Sequence, residues 1–234
     1  MKIKFLSLIL ISSLFYCDTK TQKSMSELPK APLAKQIPKN LTIHDDVRVD
    51  EFYWLKDREN PEVIDYLNNE NDYYNAHTAH TKEFQTSLFE EMKSRIKEDD
   101  SSVPYKYNGY WYITKYEKGK DYPIYTRKKE SLEAAEELLF DCNEMAKDHS
   151  YFRLVGLNIN PNNDLVSYGI DTTGRRQYTL HIKDLKTNTI FKDEISNTTG
   201  GSTWANDNKT LFYTLKDETT LRSEAIYKHQ LNSE

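Results

Sequence analysis

Residues 157–185 read L-N-I-N-P-N-N-D-L-V-S-Y-G-I-D-T-T-G-R-R-Q-Y-T-L-H-I-K-D-L, and this stretch decides the fold. Asn160, Pro161, Asn162, Asn163 and Asp164 form a dense turn signal, because proline presets φ while Asn and Asp tolerate left-handed geometry. Leu165, Val166, Tyr168 and Ile170 then supply a strand, and Asp171-Thr172-Thr173-Gly174 turns the chain back. Tyr178, Leu180 and Ile182 alternate with Thr179, His181 and Lys183, the period of a half-buried strand. Asp184 to Asn188 turns once more. The stretch predicts a meander of short antiparallel strands.

Working outward, the pattern returns. Ala205-Asn206-Asp207-Asn208-Lys209-Thr210-Leu211-Phe212-Tyr213 matches the run from Asn160 to Tyr168, at an offset of about 45 residues. Ile182-Lys183 and Tyr227-Lys228 keep that offset. A weaker copy lies upstream at Asn108-Gly109-Tyr110-Trp111-Tyr112-Ile113, followed by Tyr122-Pro123-Ile124-Tyr125. Repeats of roughly 40–50 residues with several strands each are the mark of β-propeller blades. The expected fold is mainly β: a partial propeller of about three four-stranded blades. Residues 132–145 are rich in Glu, Ala and Leu, yet a blade needs its outer strand there, so Leu138-Leu139-Phe140 is assigned to a strand after a loop.

The composition, with 37% hydrophobic residues, suits a soluble globular core. A net charge of −5 with scattered basic residues gives no footprint for nucleic acid. The two cysteines, Cys17 and Cys142, stand in unrelated contexts, which excludes a disulfide framework. At the amino end, Lys2 and Lys4 precede an apolar run from Phe5 to Tyr16, too short to span a bilayer but suited to an export signal. Residues 1–17 are therefore expected to be a signal peptide. Cys17 follows the run as a lipid-attachment cysteine would in a bacterial lipoprotein. Leu14 fits such a lipobox and Tyr16 departs from it, since a small residue is expected there; the alternative is an ordinary residue ending the signal. Residues 18–39, polar with three prolines, read as a tether.

Residues 40–100 are expected to form an amino-terminal helical segment. Asn60-Pro61-Glu62 is a helix start, with the Asn as cap and Pro in the first turn. Val63, Ile64, Leu67, Tyr73 and Tyr74 give a stripe running to about His77. A second helix carries Phe84, Leu88, Met92 and Ile96 on one face, widened by Phe89. From Val103 onward the pattern alternates, so a boundary is placed near Asp100 and the propeller assigned to residues 101–234.

Four long stretches carry a resemblance: R-V-D-E-F-Y-W-L-K-D from Arg48, P-E-V-I-D-Y-L from Pro61, E-M-K-S-R-I-K-E-D-D-S-S-V-P-Y from Glu91 and D-T-T-G-R-R-Q-Y-T-L from Asp171. T-W-A-N-D-N-K-T-L-F-Y from Thr203 continues them. Together they resemble the amino-terminal half of the oligopeptidase B group within the prolyl oligopeptidase family of serine peptidases. The resemblance implies a helical segment and a seven-bladed propeller ahead of an α/β-hydrolase domain with a Ser, Asp and His triad. It implies cleavage of short peptides after Arg or Lys, with the propeller excluding folded substrates. On that reading the chain holds only the amino-terminal part, inactive alone, and takes a peptide substrate only together with a hydrolase domain.

No G-x-S-x-G elbow occurs, so no catalytic residue is assigned. Gly200-Gly201-Ser202 comes nearest, but it precedes a strand and is read as a loop between blades. His77, His80 and Glu83 lack metalloprotease spacing, and Glu98-Asp99-Asp100 lacks calcium-loop spacing; no metal or cofactor is expected. Arg175 and Arg176 stand just past a hairpin turn, where a guanidinium fork can reach a carboxylate. They are either an interdomain latch, toward the hydrolase domain that the resemblance implies, or a surface pair. Two functions stay open: part of a secreted oligopeptidase, or a lipid-anchored module binding peptide or glycan on aromatic blade faces.

Overall fold

The structure is a computed structural model that describes residues 28–233; residues 1–17, read from the sequence as an export signal ending at Cys17, lie outside the described residues. Two compact units are present, one running to Arg95 and the other from Ile96 onward.

In the first unit, β1 (Lys39–Ile43) and β2 (Asp46–Asp50) form a hairpin whose turn places His44 and Asp45 at positive φ. The polar segment before it is pinned: the Trp54 indole N–H donates to Lys35 O (2.9 Å), and Ile37 N–H donates to Glu51 O (2.8 Å). Helix α1 (Pro61–Thr78) starts as its sequence dictates, with Asn60 Oδ1 accepting the Glu62 N–H at 3.0 Å. Only Val63 of its apolar stripe is buried, while Ile64, Leu67 and Tyr74 are exposed. Helix α2 (Lys82–Ser94) ends two residues short of Ile96, the last residue of the stripe, which therefore lies beyond it. Phe84, Leu88, Phe89 and Met92 on α2 are all exposed.

The second unit is a run of antiparallel strands. β3 (Asp100–Ser101) and β4 (Tyr105–Tyr107) both pair with β5 (Tyr110–Tyr116) and act as one broken inner strand, interrupted near Pro104. Proline has no N–H for the ladder. β6 (Ile124–Lys129) and β7 (Glu136–Asp141) complete this first blade. The strand expected at Leu138 to Phe140 is therefore real, and a one-turn helix α3 (Cys142–Met145), capped by Asp141, follows it.

Then β8 (Arg153–Ile159), β9 (Leu165–Asp171), β10 (Tyr178–Asp184), β11 (Ile195–Trp204), β12 (Thr210–Lys216) and β13 (Ser223–Gln230) form one continuous six-stranded meander. β9 and β12 start at the repeat offset read from the sequence. The alternation read for β10 also holds, with Tyr178, Leu180 and Ile182 buried and the residues between them half-buried. The sheets curl as a partial propeller.

One expectation is corrected. Gly200-Gly201-Ser202 is not a loop between blades but lies inside β11. The first part of β11 pairs with β10 and, at Thr198, also with Leu215 of β12, while its last part, Ser202 to Trp204, pairs with β12 after a register shift. A single strand thus closes the second blade and opens the third. It can bend because Gly200 adopts φ +86°, a conformation open to glycine at little steric cost. The bend also needs closeness: a Cβ on Gly169 would meet Gly200 Cα at 2.6 Å, and one on Gly200 would meet Val155 Cγ2 at 2.5 Å. Beside this contact, Ser167 Oγ and Ser202 Oγ are hydrogen-bonded at 2.8 Å, and the Trp204 indole N–H donates to Asn158 O at 3.0 Å.

The first two blades share one apolar core that includes Phe140, Cys142, Phe152, Leu154, Val166 and Tyr168. Leu165, Ile182, Trp204 and Leu211 form a second cluster toward the third blade. The blades are also laced at corresponding turns. Asn108, Asn163 and Asn208 occupy the same turn position in successive blades, all with positive φ. Asn108 Nδ2 donates to Pro161 O (2.8 Å) and Asn163 Oδ1 (3.2 Å), while Asn163 Nδ2 donates to Asn108 O (3.0 Å). Asn208 Oδ1 accepts the Asn162 N–H at 2.9 Å. Residues chosen for left-handed turns, as Asn is, here also join neighbouring blades.

Candidate functional site

Two features of the second unit carry polar or aromatic groups in arrangements that could bind. The first is the β9–β10 hairpin. Asp171 is buried at its base, and its carboxylate accepts the N–H groups of Thr173 (2.8 Å), Gly174 (3.0 Å) and Arg176 (2.7 Å), plus the Thr173 hydroxyl (2.9 Å). Burial alone would raise the pKa of Asp171, but these donors outweigh it and hold the group below its usual value. Lys216 Nζ donates to Arg176 O at 2.6 Å from the next blade. The loop is thus rigid in its backbone, while the side chains of Arg175 and Arg176 are exposed and make no ion pair among the described residues. Two exposed guanidinium groups carried on a rigid backbone turn suit bidentate recognition of a carboxylate.

The second is a cleft of about 460 Å³ between the first and second blades. Tyr105 and Tyr107 stand on one rim, and Val155 to Ile159 of β8 form the opposite wall. Tyr105 stacks on Tyr112, with ring centroids 5.3 Å apart. The phenols of Tyr105, Tyr112 and Tyr125 all have pKa values raised by burial, so they stay neutral hydroxyls at physiological pH. Arg127 pulls the Tyr112 value back without overcoming burial. The Thr126 hydroxyl is buried and has no hydrogen-bond partner among the described residues, an arrangement that costs about 1–3 kcal/mol, whereas the Tyr112 hydroxyl lies beside the Arg127 guanidinium. Behind the wall Arg127 is itself buried, donating to Glu137 (2.7 Å) and Asn163 O (3.0 Å), with its guanidinium 4.1 Å from the Tyr110 ring centre.

The other residues considered in the sequence do not converge. His77 Nε2 lies 3.0 Å from Pro29 O, and His80 Nδ1 lies 3.1 Å from His77 O. Asp100 pairs with Lys97 at 2.8 Å. Among the described residues no group of three or more His, Cys, Asp or Glu is placed to hold a metal ion. The cleft escaped sequence reasoning because its walls come from strands some 50 residues apart, though Tyr105 and Tyr107, two apart on one strand, were a visible sign of a shared aromatic face.

With this geometry established, the family profile described as "Prolyl oligopeptidase, N-terminal beta-propeller domain" matches residues 32–234. The chain belongs to the prolyl oligopeptidase family. Among prolyl oligopeptidase relatives, it is 38% identical over 207 residues to dipeptidyl aminopeptidase BI of Pseudoxanthomonas mexicana, covering 81% of this chain and 29% of that protein. It is 34% identical over 212 residues to Protease 2 of Moraxella lacunata, covering 88% of this chain and 31% of that protein. The structure of oligopeptidase B from Leishmania major superposes with a TM-score of 0.79 at 31% identity, over 87% of this chain and 31% of that one. The chain thus spans under a third of the length of these relatives and matches the propeller part of the family.

Proposed function

We propose that this chain is the propeller part of a secreted serine oligopeptidase that cleaves short peptides after Arg or Lys, and that its blades gate entry to a hydrolase domain. The observation that supports this reading is the family match over residues 32–234, with relatives named as a protease and an aminopeptidase. The sequence has no G-x-S-x-G elbow, so the part assigned to this chain is exclusion and positioning, and bond cleavage belongs to the triad of the hydrolase domain. Arg175 and Arg176, fixed on their hairpin, would pair with carboxylates of that domain when it closes.

Grafting this chain in place of the matching segment of the Moraxella protease tests the gate. The chimera should cleave a short fluorogenic peptide and spare an unfolded protein of many residues. Cleavage of both at similar rates would refute gating. In the same chimera, Arg175→Ala with Arg176→Ala should relax the size limit; an unaltered limit would remove the latch.

Export and membrane attachment through a lipid on Cys17 belong to the same proposal, supported by Lys2, Lys4 and the apolar run up to Tyr16. A fatty-acid probe should label the wild type and miss Cys17→Ser. Equal labelling of both would exclude that site.

A further inference from the structure

The cleft between the first two blades has properties that gating alone does not use. Its two walls end in strands that are paired on one side only: β4 pairs with β5, and β8 pairs with β9. Strand edges of this kind offer backbone N–H and C=O groups to an incoming extended chain. The β8 ladder is also interrupted between Val155 and Asn158, where Gly156 turns to φ +65°. Within the cleft, the rings of Tyr105 and Tyr107 face aliphatic side chains such as Leu139 and Leu157, and none of the lining side chains is acidic or basic. Thr126 adds a buried hydroxyl with no hydrogen-bond partner among the described residues. The volume of about 460 Å³ falls in the range of sites that take one small ligand.

We propose that this cleft binds an extended peptide segment through an uncharged aromatic or branched aliphatic side chain. The strand edges select peptide backbone over other apolar molecules. The tyrosine rings and aliphatic wall accept the side chain, and the absence of a countercharge rejects Glu, Asp, Arg and Lys, because a charge buried without a partner is costly. The inference deepens the peptidase reading by naming which residue the propeller holds. It rests on that reading only for what happens to the peptide afterwards, so the test measures binding to this chain, with no cleavage step.

The probes are acetylated, amidated tripeptides with Gly on both sides of a central Phe, Leu, Glu or Arg, titrated into the 234-residue chain by calorimetry and saturation-transfer NMR. The Phe and Leu peptides should saturate, with the Glu and Arg peptides weaker by about tenfold or more. Tyr107→Ala alters a side chain that is 57% exposed and should weaken the Phe peptide by about tenfold while leaving the thermal midpoint in place. Thr126→Val removes an unpaired hydroxyl at nearly constant volume. It should hold or raise the midpoint and still weaken binding severalfold, a combination that loss of structure would not produce. Weakening in either variant places the peptide in the cleft. Absence of saturable binding, equal binding of all four peptides, or unaltered affinity in both variants would overturn the proposal. The chimera that tests gating gives a separate answer, so failure here leaves the family reading intact.

Discussion

Replacing Asn163 tests how the first two blades are held together at their turns. Its backbone sits at φ +62°, and its side chain exchanges two hydrogen bonds with Asn108, at 3.0 and 3.2 Å. In Asn163→Gly the left-handed backbone remains comfortable and only those two bonds are lost. At roughly 0.5–1.5 kcal/mol each, and nearer the lower figure at a half-exposed site, the loss is about 1–2 kcal/mol. Asn163→Ala loses the same bonds and also forces a Cβ-bearing side chain without local polar compensation into the left-handed region, adding about 1–2 kcal/mol. The Arg127 bond to the Asn163 carbonyl (3.0 Å) survives both changes because it uses the backbone. Urea unfolding, followed by the fluorescence of Trp111 and Trp204, should therefore rank wild type above Gly and Gly above Ala. A double-mutant cycle with Asn108→Gly isolates the 3.2 Å bond between the two side-chain amides, because the 3.0 Å bond goes to the Asn108 backbone carbonyl and survives that change; the expected coupling is about 0.5–1 kcal/mol. Equal stability of the Gly and Ala variants would refute the backbone part of the reasoning. A coupling of zero would refute the bond between the two side-chain amides.

Three further predictions follow from the same geometry. Gly109→Ala meets open space but a φ of +80°, Gly169→Ala meets Gly200 Cα at 2.6 Å with an ordinary φ, and Gly200→Ala meets both penalties. Thermal unfolding should place Gly200→Ala lowest, with crowding and strain each costing about 1–3 kcal/mol; a harmless Gly200→Ala would remove the bend of β11 from the account. For Asp171, the folded pKa is held below the unfolded value, so its stabilisation is present above the unfolded pKa of about 3.9 and is lost as pH falls through the folded value. Wild type should lose more stability than Asp171→Asn on acidification from about pH 5, and parallel pH slopes would contradict this. Cys142 is 1% exposed, and burial pushes its thiol pKa up to about 12. In a Cys17→Ser background it should resist alkylation at neutral pH until the chain unfolds, and prompt labelling of the folded chain would show the core of the first two blades to be open.

Local chemistry made much of this protein legible in its residues. Turn signals at Asn160 to Asp164 and Asp171 to Gly174 place strand ends, because left-handed φ and Asx hydrogen bonds are preferences of single residues. The cap at Asn60 and the alternation along β10 are likewise set by neighbours in sequence. The 45-residue echo then made blades of the strands. What those preferences leave open is decided by residues that meet only after folding. Gly200 reads as a loop in sequence because two glycines and a serine favour turns; in the fold it bends a continuous strand, where Val155 and Tyr178 leave no room for a side chain on it and Gly156 and Gly169 let its backbone approach. Arg127 reads as one more surface charge on an alternating strand, yet it is buried because Glu137, Asn163 O and the Tyr110 ring surround it. The cleft follows the same logic: Tyr105 and Val155 are distant in the chain, and only the packing of one blade on the next makes them two walls of one site.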